Sequence, residues 1–344
     1  MRVRQMLAGL MSTVFLVTAP LTVDAATQKT AKTSTPANSR AKASKVSKAP
    51  VKAKPVVSRA RSKQFKPAVE QDFDKEGNPL IRSSAFFVQD LSTGEVLLER
   101  NASAALPIAS ITKLMTSMVV LDAHQSLSEI LEVTDEDVDR LKGTSSRLAV
   151  GTRLSREEML KLALMASENR AASALARNYP GGMSAFLEAM NVKSRLMGLD
   201  QTSFHDGTGL NKENVSSARD LATLVANASR YPLIREFSTA TEYTASLPRG
   251  RAHTFHTTNA LVKNPDWQID VQKTGYISES GRCLVMQAWM GNKPLAIVLL
   301  DSWGRFTRLG DANRIRKWLE TAALKSSPVA FASEKTSATP LMHN

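Results

Sequence analysis

A single cysteine, Cys283, excludes an internal disulfide in this chain of 344 residues. It lies in an apolar, β-type run, which reads as a buried core position rather than a nucleophile. No phosphate loop and no dinucleotide fingerprint occurs. No histidine accompanies a Gly-x-Ser-x-Gly setting, so a Ser-His-Asp hydrolase is unsupported. His253 and His256 have the spacing of two ligands but lack a clear third, so neither a metal nor a cofactor is expected. Acidic residues are nearly missing from positions 1–70, which hold Asp24 and Glu70 against 14 Lys or Arg. The remainder holds 31 basic and 30 acidic residues, so the net charge of +13 belongs to a tail and not to a basic fold.

That tail has two parts. Arg2 and Arg4 precede an apolar run at 6–17, and Val23-Asp24-Ala25 supplies small residues before Ala26, the pattern of a cleavable export signal over 1–25. The run is short for a bilayer span, which disfavours an uncleaved anchor. Residues 26–70 are rich in Ala, Lys, Ser, Thr, Pro and Val without periodicity, and predict a disordered basic linker. Such a segment can make weak electrostatic contact with a membrane or an anionic wall polymer, whereas export argues against nucleic acid. A periplasmic location follows, soluble or loosely membrane-associated.

Folded structure is expected over 71–326, with a flexible tail at 327–344. Short β-type runs at 84–89 and 95–98 flank a turn at 90–94, a hairpin signal. Helices are expected at 159–166, opened by the capping box Ser155/Glu158, and at 183–197, 218–228 and 305–324. β-type runs return at 267–274, 282–290 and 295–300. This order predicts an α/β domain whose antiparallel sheet comes from both chain ends, with a helical subdomain inserted between them.

Three short elements carry the chemistry. Pro107-Ile-Ala-Ser110-Ile-Thr-Lys113 enters a helix whose buried side is Met115, Met118, Val119 and Leu121. Ser110 and Lys113 share one helical face, so the lysine amine can serve as base once burial, nearby positive charge and the helix dipole lower its pKa. Ser167-Glu-Asn169 ends the 159–166 helix, where a hydroxyl and an amide can turn toward one cavity. Lys273-Thr274-Gly275 ends a β-type run. Lysine and threonine there can bind a carboxylate, and glycine leaves room for a ligand backbone.

Each element alone is weak. Together, and in this order, they resemble the Ser-x-x-Lys, Ser-x-Asn and Lys-Thr-Gly set of penicillin-binding proteins and serine β-lactamases. Over about 83–324 the chain resembles the low-molecular-mass penicillin-binding proteins, serine peptidases of the D-Ala-D-Ala carboxypeptidase family. Within them it looks most similar to the soluble D-alanyl-D-alanine endopeptidases of the penicillin-binding protein 7 type. The main carboxypeptidases carry an extra β-rich domain and a membrane-binding helix, for which too few residues follow Leu324.

The resemblance implies a β-lactamase/transpeptidase-like fold and an acyl-enzyme on Ser110. It implies Lys113 as general base, kept neutral by apolar neighbours and Lys273, and Ser167 as proton relay. Asn169 would hold the substrate amide, while Lys273, Thr274 and Gly275 line the carboxylate site. Backbone N–H groups of Ser110 and Tyr276 would form the oxyanion hole. Peptidoglycan is the implied substrate and β-lactam antibiotics the covalent inhibitors. Cleavage of D-alanyl cross-links is the preferred activity, and trimming of terminal D-alanine the alternative. A class A β-lactamase needs a deacylating glutamate, for which Glu213 lacks the surrounding pattern. A non-enzymatic wall-binding protein would have little need of both lysines.

Overall fold

The computed structural model describes residues 71–326. The expected leader, basic linker and C-terminal tail lie outside the described residues. Five antiparallel strands form the central sheet: β1 (Ala85–Asp90), β2 (Val96–Arg100), β3 (Gln268–Ile277), β4 (Gly281–Met290) and β5 (Lys293–Ser302). Their spatial order is β2-β1-β5-β4-β3, so the N-terminal hairpin is joined to the C-terminal meander through the β1–β5 ladder. The sheet does come from both chain ends, as the element order predicts.

Both faces of the sheet are buried. On β5, Ala296, Val298 and Leu300 face the helical block, and Leu295, Ile297 and Leu299 face the opposite layer. That second layer contains Ala312 and Ile315 of the terminal helix α7 (Thr307–Ser326). Strand alternation therefore supplies two cores from one strand. Cys283 packs in the first of them, and burial pushes its thiol up to about 11.

The inserted block contains α1 (Thr112–Asp122), α2 (Arg156–Met165), α3 (Asn169–Arg177), α4 (Gly182–Leu196), α5 (Ala218–Ala228) and α6 (Pro232–Thr239). The capping box of α2 forms as expected: Ser155 Oγ accepts from Glu158 N–H at 3.2 Å and Ser155 N–H donates to Glu158 Oε2 at 2.8 Å. The sequence pattern assigns one buried side to α1, but the helix is buried from Thr112 to Val120 on every side. Its hydroxyls satisfy themselves on backbone carbonyls: Thr116 Oγ1 donates to Gly207 O and Ser117 Oγ to Lys113 O. Besides α3 and a few two- or three-residue strands, two further elements escape the sequence pattern. They are α6, which starts with a proline at its first position, and a hairpin of Glu242–Leu247 with Arg251–His256. His253 and His256 lie on that outer hairpin.

Asp311, fully buried on α7, ties the start of β1 to the second layer. It accepts from the backbone N–H of Arg82 and Ser83, from Ser83 Oγ at 2.6 Å and from Arg314 Nη1 at 2.8 Å. Among the described residues no helix is long and apolar enough to cross a membrane. Removing the Asp311 carboxylate strands several buried donors. Asp311→Ala is expected to cost about 2–4 kcal/mol of unfolding free energy, read by urea denaturation. A change under about 0.5 kcal/mol would show that this staple adds no stability.

Candidate active site

The chain meets α1 through a tight turn. Ala109 adopts φ +48, and Ala109–Ile111 form a single 3-10 turn before the helix begins at Thr112. A left-handed alanine is strained by about 1–2 kcal/mol, so its surroundings must hold it. Two glycines do so. A Cβ on Gly209, which has φ +83, would lie 1.9 Å from Ala109 O, and one on Gly275 would lie 2.7 Å from Ile108 O and 3.3 Å from Ser110 N. The sequence reading reserves the space at Gly275 for a ligand backbone. The structure differs: the direction of its missing side chain is filled by the turn that carries Ser110.

Lys113, on the first turn of α1, is fully buried. Its Nζ lies 2.8 Å from Ser110 Oγ, 2.8 Å from Asn169 Oδ1 and 2.6 Å from Thr208 O. An ammonium donates to all three. A neutral amine donates to the amide and the carbonyl and accepts the Ser110 hydroxyl proton, the arrangement a base needs. Burial lowers its pKa to about 7, against the opposing pull of Asp206 and Glu168.

Ser167 follows the end of α2 in a left-handed conformation, φ +61, which swings its hydroxyl out of the helix path. Its Oγ accepts from Lys273 Nζ at 2.8 Å. Lys273 also donates to Thr274 O at 2.9 Å. Its pKa is pushed well below the usual lysine value by burial, then by Lys113, then by Arg308. The sequence reading has apolar neighbours and Lys273 keep Lys113 neutral. Burial is the leading cause at both lysines, and their mutual repulsion discourages protonation of the pair together.

Ser110, Lys113 and Asn169 thus form one bonded group and Ser167 with Lys273 a second, near enough for the charge of Lys113 to act on Lys273, with Gly275 packed against the Ser110 turn. Thr274 lies alongside, its Oγ1 2.7 Å from Thr258 Oγ1. Tyr276 is 58% exposed at the edge strand, under the Arg282 guanidinium. Asn169 is not a loop residue: it begins α3, whose alanine-rich sequence is a strong helix former. Its Nδ2 donates to Thr144 Oγ1 at 3.1 Å. An open cavity of about 460 Å³ adjoins Asn169 and Thr208 and is also lined by Leu141, Met183 and Leu210.

Several participants were not singled out by sequence. Asp206 gathers the backbone N–H groups of Thr208, Gly209 and Asn211, and so aims the Thr208 carbonyl at Lys113. Its Asp-Gly-Thr-Gly setting is a turn signature. Asn214 is buried and braces the same loop against Thr112. Neighbouring Glu213 points elsewhere, 62% exposed and 3.8 Å from His205 Nδ1. Arg308 is 9% exposed, and its Nε has no hydrogen-bond partner among the described residues. A cation in the first turn of a helix opposes the helix dipole, which is the signal that could have marked it.

Comparison with known proteins places the chain in a family. A family model described as D-alanyl-D-alanine carboxypeptidase matches residues 72–304. The chain is 45% identical to a D-alanyl-D-alanine endopeptidase of Pseudomonas aeruginosa over 261 residues, 74% of this chain and 84% of the relative. It is 43% identical to a protein of the same name from Escherichia coli, covering 75% and 83% of the two chains. Among solved structures it is similar to the Streptomyces K15 DD-transpeptidase, with a TM-score of 0.65 and 27% identity over 70% of this chain and 98% of that one.

The close approach at Gly275 generates a test. Gly275→Ala forces the Ser110 turn to shift while leaving every polar group in place, so acylation by a fluorescent β-lactam is expected to slow about 10²-fold. Circular dichroism and the unfolding midpoint check that the fold survives. Unchanged labelling in a folded variant would show that this packing does not position the serine.

Proposed function

The chain belongs to the D-alanyl-D-alanine carboxypeptidase family of serine peptidases, and from that membership we propose that it hydrolyses D-alanyl cross-links of peptidoglycan through an acyl-enzyme on Ser110. The observation that carries the reading is the buried Lys113 amine 2.8 Å from Ser110 Oγ, beside a second lysine on Ser167. The relatives named endopeptidases, at 45% and 43% identity, support cross-link cleavage over trimming of terminal D-alanine. The N-terminal export pattern supports a periplasmic location, where this substrate is found.

The reaction runs in two halves. Ser110 Oγ attacks the D-alanyl carbonyl carbon as its proton passes to Lys113 Nζ. The carbonyl oxygen takes the negative charge and is held by the backbone N–H groups of Ser110 and Tyr276. As the tetrahedral species collapses, the C–N bond breaks. Ser167 gives the leaving amine its hydroxyl proton and takes the proton held by Lys113 in its place, so Lys113 is neutral again, while Lys273 steadies the Ser167 oxygen between the two transfers. Water then attacks the ester, Lys113 takes its proton and returns it to Ser110 Oγ as the ester C–O bond breaks, which frees the acid product and restores the serine hydroxyl. Asn169 presents its amide to the acyl strand, whose side chains enter the cavity beside it. Thr274, Lys273 and Arg308 hold the carboxylate next to the scissile bond. A β-lactam acylates the same serine, because its ring amide presents the same carbonyl and carboxylate.

Incubation with purified cross-linked dimers and with uncross-linked pentapeptide, followed by mass spectrometry, tests this reading. Monomer release blocked by penicillin and lost in Ser110→Ala is expected. Release of terminal D-alanine alone would reassign the enzyme as a carboxypeptidase, and rapid penicillin turnover without either product would make it a β-lactamase. The base also fixes a pH dependence. Lys113 must be neutral to accept a proton, so the acylation rate should rise with pH and level off above about 7. Below that point it should fall about tenfold per pH unit. A profile flat from about pH 5 to about pH 9 would exclude Lys113 as the base.

A further inference from the structure

Beyond the reacting groups, the same edge of the sheet continues into a surface that the mechanism leaves unused. Tyr276 of β3 faces Arg282 of β4, and Arg282 faces Ser302 of β5. Trp303 follows at once, 86% exposed, and Phe306 is 66% exposed. Guanidinium groups lie over two of these rings: Arg282 is 4.6 Å from the centre of Tyr276, and Arg305 is 5.4 Å from that of Phe306. The chain is turned outward here on purpose. The β4–β5 ladder shifts register between Arg282 and Leu284, and Asp301 adopts φ +50 at the end of β5.

Single exposed apolar residues need no explanation, but large aromatics with arginines on one corner form the composition of a binding surface. Its charge is positive. Arg282, Arg305 and Arg308 stand against Asp301, while Glu279 of the nearby β3–β4 turn is engaged by Lys142. The position identifies the occupant. In the mechanism above, Arg308 and Lys273 hold the carboxylate of the strand that leaves. Phe306 and Trp303 lie two and five positions before Arg308 on the same stretch of chain. A leaving group of one D-alanine ends at that carboxylate. A second stem peptide continues past it, toward these aromatics.

We propose that Trp303, Phe306, Arg282 and Arg305 form a subsite for the leaving stem peptide of a cross-linked dimer, an extended peptide bearing carboxylates. The rings cover its apolar face and the arginines pair with its acids. The subsite gives the enzyme its preference for cross-links over terminal D-alanine, and the inference rests on the DD-peptidase reading.

The test uses the full mature protein with Trp303→Ala/Phe306→Ala and, separately, Arg305→Glu, all at exposed positions. For purified dimer, kcat/KM is expected to fall about tenfold or more, with the loss mainly in KM. Pentapeptide turnover and β-lactam acylation should stay within about twofold of wild type. An equal loss on dimer and pentapeptide would overturn the proposal, because the two substrates differ only beyond the carboxylate next to the scissile bond. Unchanged dimer cleavage would overturn it too. If sedimentation then showed that the variants had lost self-association, the surface would belong to a second copy of the chain. A wild-type enzyme that cleaves no dimer sinks the endopeptidase reading itself, whereas wild-type cleavage with unaffected variants sinks only the subsite.

Discussion

A buried ammonium is costly unless it is paired or gives up its proton, and this fold buries two. Lys113 and Lys273 are both fully inaccessible, and each places its amine 2.8 Å from a serine oxygen. Neither is paired by contact with a carboxylate. The acids that act on Lys113, Asp206 and Glu168, act through space and only partly restore its pKa. The penalty is therefore eased by lowered pKa values and by carbonyl and amide acceptors. What destabilises the charged lysine is also what suits it, in the proposed reaction, to act as a base at neutral pH. Folding stability and reactivity draw on one interaction here, with opposite sign.

The rest of the architecture serves that burial. Three chain segments distant in sequence must exclude water from a small volume, and side chains alone would leave gaps. Backbone fills them. Gly209 presses on Ala109 O, Gly275 presses on Ile108 O, and two non-glycine residues, Ala109 and Ser167, accept left-handed geometry. Strain of this kind persists only where neighbours over-determine the conformation. Asp206 and Asn214 provide that constraint on one side by tying up the loop that donates the Thr208 carbonyl. The edge strand provides it on the other.

This division explains what could be read from the sequence. The antiparallel sheet from both chain ends, the capping box at Ser155 and most of the helical block carry local signals, in alternation, periodicity and turn residues. The Ser110, Ser167 and Lys273 elements were legible as motifs, and the structure brings them together as two neighbouring lysine–serine pairs. Contacts between distant backbone segments leave no such trace. Gly275 has the same letter whether it makes room for a ligand or for the Ser110 turn. Asp206 reads as an ordinary turn residue, and its effect on Lys113 exists only after folding. For α1 the difficulty is the opposite one, since a helix buried all round has no periodic side to reveal its orientation.

Separating chemistry from selection is the last consequence of the geometry. In the proposed reaction the lysine–serine pairs act on one carbonyl and one leaving nitrogen, which a terminal D-alanine and a cross-link share. Nothing within hydrogen-bond reach of Ser110 can tell them apart, because the two substrates differ only beyond the carboxylate. Discrimination must therefore come from groups farther along the leaving strand, where binding energy specific to the larger substrate can be realised. Arg308 marks the boundary between these regions: its charge lowers the pKa of Lys273 on one side and it adjoins Arg282 on the other. Substitutions inside that boundary alter the rate for every substrate, and substitutions outside it alter the choice among them.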